Sequence, residues 1–278
     1  MLWTRAMRSN SNAVRAAMKL NNLAQEIKQI ERWWFRRSVI MAATGSTVVL
    51  GLGIGFGVMD KAAFAAAVWT SLCLVGESGK ASQQAKYRKL ASGLAGESFV
   101  CSVLAGIDPR FTVRNQVLLP NPRSRTGHTE ADFVLIGQKA LYLVETKNNS
   151  GEIEISEKDR EWQVIVTLAD GTRLTNSMRN PVRQVKVQAR VLRQRLAEKG
   201  LRPIIQPTVA FSNTDARLIE RESPSVPVFS GRLDDLVDRI RAYETKLAAY
   251  PDIDIKQMNA VLDELHAEAL RGAKPFRK

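Results

Sequence analysis

An acid and a base stand two residues apart at the end of an apolar run. Residues 141–144 read Leu-Tyr-Leu-Val, a composition typical of a buried strand, and Glu145 and Lys147 follow directly. Side chains two residues apart in a strand point to the same face of the sheet, so both groups are expected to leave the strand on one side. The simplest alternative is a solvated ion pair at the strand end.

A second carboxylate is predicted opposite the first. The stretch HTEADFVLIGQKALYLVETK reads as two antiparallel strands joined by a two-residue loop at 138–139. With that loop Gly137 faces Ala140, and the register places Asp132 opposite Glu145. Opposed residues lie about 4.5–5.5 Å apart, which is close enough for two carboxylates to share one cation. Alternatively, Asp132 caps a strand.

A third carboxylate is predicted on the helix that precedes these strands. Glu97 falls at helical spacing with apolar residues and shares one helix face with Leu90, Leu94, Cys101 and Leu104. A carboxylate aimed at the core needs a partner or a metal to offset its desolvation. A partly exposed position for Glu97 is the alternative.

Several carboxylates beside one lysine are the groups that phosphodiester hydrolysis assisted by Mg²⁺ or Mn²⁺ requires. Oxygen ligands suit such a hard cation, which activates a water and neutralises charge on the phosphate. In this interpretation Asp132 and Glu145 bind the metal, and Glu97 is a further ligand or holds the water. Lys147 orients the water or stabilises the phosphate oxygens.

A basic helix follows in the sequence. Asn180-Pro181 predicts a helix that runs to about residue 199, with proline in its first turn, and Gln184 lies one turn inside it. Such a helix suits a nucleic-acid backbone. The residues predicted to contact it are Arg183, Lys186, Arg190 and Arg193. A solvated face, or a contact with anionic lipid, would explain the same charges.

Strands and helices alternate from Lys80 onward and must position these groups. Apolar runs predict strands at 111–119, 131–137, 140–146, 153–156, 162–168, 204–211 and 226–229, with Asp170-Gly171 as a hairpin turn. Further helices are predicted up to about Leu104, at 232–248 and at 254–270. This mixture implies an α/β domain in which helices cover a sheet.

The N-terminal region has a different character. Residues 1–37 carry eight Lys/Arg against two acids and read as a helical segment. Residues 38–59 contain no charge and are long enough to cross a hydrocarbon core. A second apolar run at 62–76 is short for a span, but the two-residue link at 60–61 favours an antiparallel hairpin. Residues 38–77 are therefore predicted to be a transmembrane hairpin that contacts lipid through 38–76. A buried soluble helical hairpin is the alternative.

The charge balance indicates an anionic partner. The chain of 278 residues carries 41 Lys+Arg against 28 Asp+Glu, a net charge of +13, which favours nucleic acid or an acidic membrane surface. Simple solubility is the other explanation. Two cysteines and two histidines indicate neither a disulfide framework nor a zinc site. Basic residues on both sides of the hairpin predict the inner (cytoplasmic) membrane, with the α/β domain facing the cytoplasm.

Several short motifs resemble those of the nuclease-related domain, called NERD, which is placed with the PD-(D/E)xK nuclease-like superfamily. They are GLAGE at 93–97, EADFVLI at 130–136, LVETKNNSGEI at 143–153, Trp162, and NPVRQ at 180–184. The resemblance implies a restriction-endonuclease-like mixed sheet flanked by helices over residues 80–248, followed by a C-terminal helix and basic tail at 249–278. The Pro of the superfamily name is absent, since Ala131 precedes Asp132.

The resemblance also implies a function and its residues. By that likeness Glu97, Asp132, Glu145 and Lys147 are the catalytic positions, and Gln184 is an auxiliary residue. We therefore expect a membrane-anchored, Mg²⁺- or Mn²⁺-dependent nuclease that hydrolyses DNA. Two other functions fit the same residues: a non-catalytic module that tethers DNA or an assembly at the membrane, and a membrane-surface scaffold.

Overall fold

The computed structural model describes Arg32 and residues 90–231 and 233–272. The chain divides into two compact units, Leu20–Leu94 and Met1–Lys19 together with Ala95–Lys278. Of the first unit, Arg32 and residues 90–94 are described, and all are helical. The predicted hairpin at 38–77 lies outside the described residues, as does the basic segment 1–37 apart from Arg32. Within the described ranges, no helix is both long enough and apolar enough to cross a membrane.

A five-stranded sheet carries the strands that were predicted to hold the acids. In spatial order it contains β1 (Thr112–Pro120), β2 (His128–Ile136), β3 (Ala140–Lys147), β7 (Ile204–Phe211) and β9 (Val228–Phe229). Strand β2 is antiparallel to both β1 and β3, whereas β3, β7 and β9 run parallel to one another. The sheet is therefore mixed.

A four-stranded sheet packs beside the first one. Its spatial order is β6 (Arg173–Arg179), β5 (Glu161–Thr167), β4 (Gly151–Ile155) and β8 (Ala216–Glu220). The inward residues of this sheet join the main core, where the buried Trp162 stacks on Phe211 of β7 with ring centroids 6.5 Å apart. The predicted turn at Asp170-Gly171 does join two strands of this sheet, β5 and β6.

Helices cover both faces of the five-stranded sheet. The described part of α1 covers residues 90–105, and the later helices are α2 (Pro181–Glu198), α3 (Asp234–Lys246) and α4 (Ile255–Arg271). Apolar residues of α2, α4 and the second sheet form one core cluster with the first sheet. Residues of α1 and α3 form a second cluster on its other side. The predicted mixed α/β architecture is confirmed for the described residues.

Helix α2 begins where the sequence predicted. Pro181 occupies the first turn, and the Asn180 side chain accepts a hydrogen bond from the Arg183 N–H. The same Asn180 amide donates to the carbonyls of Ser156 and Asp159 in the loop between β4 and β5. This one buried asparagine therefore attaches the start of α2 to the second sheet, which sets the direction in which the helix crosses the first.

Candidate active site

Strands β2 and β3 separate at the predicted pair of acids. The paired residues run from Ile136↔Leu141 to Phe133↔Val144, and the Gly137 N–H donates to the Ala140 carbonyl at 2.9 Å. This is the register that the two-residue loop predicted.

Asp132 is the next residue of β2 beyond the last of these pairs. Its carboxylate accepts the Thr146 N–H at 2.8 Å. The side chain thus fills the place where the two strands part. Counting on in the same register sets Glu145 opposite Asp132.

The pairing of β1 with β2 is also interrupted beside Asp132. Asn115 pairs with Phe133 and Val117 with Ala131, but the intervening Gln116 has a φ of 50°. A non-glycine residue in this left-handed region is strained, and such strain concentrates at functional sites. The Gln116 Nε2 donates to Glu97 Oε2 at 3.0 Å. Sequence reasoning missed Gln116, because no residue-type pattern signals a left-handed glutamine inside a strand.

Glu145 is almost completely buried and both of its carboxylate oxygens are engaged. The side chain is 1% exposed. Its Oε1 forms an ion pair with Lys147 Nζ, and its Oε2 accepts a hydrogen bond from Gln188 Nε2 at 2.7 Å. The Lys147 ammonium also donates to Gln184 Oε1 at 3.2 Å. Acid and base are therefore held by two glutamines of α2.

The two glutamines lie one helical turn apart and face the sheet together. Gln184 was predicted as an auxiliary residue, and the structure brings it to Lys147. Gln188 was missed, although its spacing of four residues from Gln184 was the signal that could have found it. Besides binding Glu145, the Gln188 Nε2 donates to the Glu130 carbonyl of β2 at 2.9 Å.

Glu97 reaches this region because α1 approaches the sheet closely at Gly96. A Cβ on Gly96 would lie 2.6 Å from Ser212 Oγ and 2.9 Å from Asn148 Cβ. Glu97 is half-buried, at the margin of the face occupied by Gly96, Val100 and Leu104. Glu97 thus has the same partly buried character as Leu94 and Cys101 of its predicted face, and partial exposure is the alternative that the sequence left open.

Burial and like charge raise the pKa values of two of the acids. Burial raises the pKa of Asp132 well above its usual value, and the negative charge of Glu145 adds to the effect. Burial likewise raises the pKa of Glu97; the hydrogen bond from Gln116 opposes this increase, and the negative charges of Glu130 and Glu145 make smaller contributions that raise the pKa further. Several carboxylates thus repel one another around a single lysine, an arrangement that an added cation would stabilise.

The donor set fits a hard divalent cation in chemistry. Carboxylate oxygens are the ligands that Mg²⁺ and Mn²⁺ prefer, and the charge of Glu145 acts on Asp132 where β2 and β3 separate. Within the described ranges, however, no three acidic, histidine or cysteine side chains form a group already arranged to hold a metal. The argument that these residues suit a divalent cation therefore depends on Asp132 and Glu145 and on the repulsion between their charges.

The four basic residues predicted to contact nucleic acid are not brought to the carboxylates. Counting about 100° per residue along α2 puts them on the opposite side of the helix from Gln184 and Gln188. Lys186 forms an ion pair with Glu157, and Arg183 donates to the Lys158 carbonyl at 3.4 Å. The exposed members are Arg183, Arg190 and Arg193.

The mixed sheet, the covering helices and the acids at the parting of two strands are consistent with a nuclease-like α/β fold. Residues 92–212 match the family model of the nuclease-related domain, NERD. The family belongs with the PD-(D/E)xK-like nucleases, and the matched segment spans from α1 to the residue after β7. Neither the curated proteins nor the solved structures contain a match to the chain.

Proposed function

We propose that this protein is a membrane-attached, metal-dependent nuclease that hydrolyses DNA phosphodiester bonds. The observation that carries the proposal lies where β2 and β3 separate: the Asp132 carboxylate accepts the N–H of Thr146, the residue between Glu145 and Lys147, and Lys147 forms an ion pair with Glu145. Asp132 and Glu145 would hold the cation, and Glu97 would be a further ligand or would hold a water molecule. PD-(D/E)xK-like nucleases typically use divalent metal ions, which supports this assignment.

Among the described residues near the two acids, Lys147 is well placed to meet a phosphate. An ammonium has three N–H donors, and two of them are directed at Glu145 Oε1 and Gln184 Oε1. The third is left for a phosphate oxygen or for the attacking water. Its side chain is 22% exposed, whereas that of Glu145 is 1% exposed, so the lysine lies between the buried acid and the solvent from which a substrate arrives.

The metal and the protein would have separate tasks. A divalent cation at Asp132 and Glu145 would supply positive charge to the phosphate oxygens and make a water molecule more acidic. The protein holds the two acids at fixed positions through the Thr146 N–H and Gln188, and Gln184 keeps the lysine directed at Glu145. Preorganised charge of this kind is usually the largest contribution to catalysis.

Basic groups on the same side of α2 as the glutamines support DNA as the substrate. Arg195 follows Gln188 by seven residues, or about two turns, and its Nε donates to the Pro120 carbonyl at the end of β1. The loop that follows, residues 121–127, exposes Arg123 and Arg125. Because β2 leads from this loop to Asp132, a DNA backbone held by the loop would pass near the acids.

Cleavage assays on the full chain in detergent test the proposal. DNA should be cut with Mg²⁺ or Mn²⁺ and left intact with a chelator. Glu145→Gln and Lys147→Ala should each lower the rate by a factor on the order of 100 or more, the usual effect of losing one group of an active site. Their matched controls are Glu220→Gln and Lys158→Ala, which alter exposed residues away from these acids.

Two outcomes would count against the proposal in different ways. Salt-dependent DNA binding without cleavage in either metal would favour a module that tethers DNA. Cleavage that survives both Glu145→Gln and Lys147→Ala would show that the site lies elsewhere on the chain.

A further inference from the structure

Gln188 is a polar residue in an apolar part of the molecule. It is 2% exposed and lies on the buried side of α2 among Val185, Ala189 and Leu192. Removing an amide from water costs free energy unless hydrogen bonds replace the lost ones. An apolar side chain of similar length would avoid that cost, so packing alone does not account for a glutamine here.

The amide nitrogen of Gln188 is fully used. It donates to Glu145 Oε2 at 2.7 Å and to the Glu130 carbonyl at 2.9 Å. Both partners are acceptors, which fixes the orientation of the amide, since the oxygen could not occupy the same place. The two bonds connect β2, β3 and α2 at the position where the two strands part.

The amide oxygen of Gln188 differs from the nitrogen in its hydrogen bonding. Gln188 Oε1 is buried and has no hydrogen-bond donor among the described residues. An unsatisfied buried acceptor is destabilising, and in native proteins such a group often marks a functional site or an ordered water molecule. Gln188 therefore contributes a specific bond to Glu145 while carrying a cost to stability.

We propose that Gln188 is a positioning residue that holds the Glu145 carboxylate in the orientation required to bind a divalent cation. With Oε2 held by Gln188, Oε1 is directed to Lys147, and the carboxylate cannot rotate freely. This inference rests on the proposed metal-dependent function. It makes Gln188 the partner of Glu145 in the way that Gln184 is the partner of Lys147.

The test replaces the amide by an apolar group of similar shape. Gln188→Met removes the donor and the unsatisfied acceptor together, and Gln188→Leu is a second variant in case the first does not fold. Gln194→Met is the matched control, because Gln194 is an exposed residue of the same helix. Mn²⁺ binding to the full chain is measured by calorimetry without DNA, beside thermal unfolding with a chelator.

We expect Gln188→Met to bind Mn²⁺ at least about tenfold more weakly than the wild type, the usual effect of losing a residue that orients a metal ligand. Its unfolding temperature without metal should be equal or higher. The cleavage rate should fall at low Mn²⁺ and recover as Mn²⁺ is raised, with KM for DNA unchanged. Gln194→Met should match the wild type throughout.

The outcomes separate this inference from the proposed function. If Glu145→Gln lowers the affinity for Mn²⁺ but Gln188→Met leaves it unchanged, the role of Gln188 alone is overturned. If Gln188→Met binds Mn²⁺ more weakly than the wild type, but the wild type cuts no DNA, the positioning role is supported and the nuclease function is rejected. A wild type that binds no Mn²⁺ would overturn both.

Discussion

At the scale of single residues, Asp132 combines a cost to stability with a proposed role in metal binding. Its pKa is raised by burial and by the charge of Glu145, so the folded protein holds a proton on Asp132 to a higher pH than the unfolded chain does. The destabilising contribution is absent below the usual pKa of 3.8 and grows as the pH rises through the folded-state pKa.

Asp132→Asn should therefore stabilise the metal-free protein and abolish cleavage. The new amide oxygen can still accept the Thr146 N–H, while the buried charge is removed. We expect a gain on the order of 1 kcal/mol at about pH 8, which shrinks as the pH falls toward 4. Urea unfolding in the presence of a chelator measures this gain in the free energy of unfolding. Asp159→Asn is the control, because Asp159 is exposed. A loss of stability at pH 8 would contradict the assignment.

Residue types and strand periodicity predicted part of the site and could not predict the rest. A two-residue loop and a period of two were sufficient to place Asp132 opposite Glu145, because register in a hairpin is local. Gln116 and Gln188 were not predictable in this way. The left-handed backbone of Gln116 and the burial of Gln188 depend on neighbours that are distant in sequence, namely Glu97 in one case and Glu130 and Glu145 in the other.

At the scale of elements, the position of α1 depends on one glycine. Gly96 lets the helix approach Ser212 and Asn148, and any Cβ there would be closer to both than real contacts allow. Asn148 directly follows Lys147, and the Ser212 N–H donates to the Lys147 carbonyl at 2.8 Å. The helix that carries Glu97 therefore rests against the end of the strand that carries the lysine.

Gly96→Ala should push α1 away from the end of β3. We expect a loss of about 1–3 kcal/mol in the free energy of unfolding, the range for overpacked sites, and a fall in the cleavage rate because Glu97 moves. Gly93→Ala is the matched control, since no described atom lies within 4 Å of a Cβ there, and alanine should stabilise the helix by about 0.5–1 kcal/mol. If the wild type and Gly96→Ala are equally stable, Ser212 and Asn148 move aside to make room for the methyl group.

The two strands that sequence patterns missed, β6 and β8, carry little local signal of their own. Strand β6 exposes nearly every residue, so no alternation of apolar and polar residues marks it, and it forms by pairing with β5. Strand β8 has only five residues and is held parallel to β4. By contrast, α2 was predicted to within a residue or two because Asn180-Pro181 is a local signal that needs no tertiary contact.

At the scale of the whole molecule, the proposed function leaves two basic groups among the described residues as candidate contacts for DNA. Arg123 and Arg195 lie on the side of the glutamines, and Arg190 and Arg193 lie on the other side of α2. We expect the double variant Arg123→Ala/Arg195→Ala to weaken DNA binding and to reduce the salt dependence by about two units. Arg190→Ala/Arg193→Ala should change cleavage less. Filter binding at several salt concentrations measures both pairs, and the reverse ranking would place the DNA on the outer face of α2.

Attachment to the membrane is the second property of the whole molecule that the sequence predicts. Residues 38–59 contain no charge, and basic residues flank the apolar region on both sides. Full-length protein should stay with membranes through high-salt and carbonate washes, because neither treatment weakens the burial of apolar surface in lipid. A protease added to the cytoplasmic side should reach both ends of the chain.

The double variant Val48→Arg/Leu50→Arg tests whether this uncharged run is the anchor. An arginine at the centre of a span costs about 2.5–3.5 kcal/mol on insertion scales, so two should release the protein into the carbonate supernatant. Val187→Arg is the control, because it adds an arginine at an exposed apolar position of α2 and should leave the protein with the membrane. Wild-type protein that carbonate extracts completely would show that the two apolar runs pack against each other in water instead of spanning lipid, and the α/β domain would then act free of the membrane.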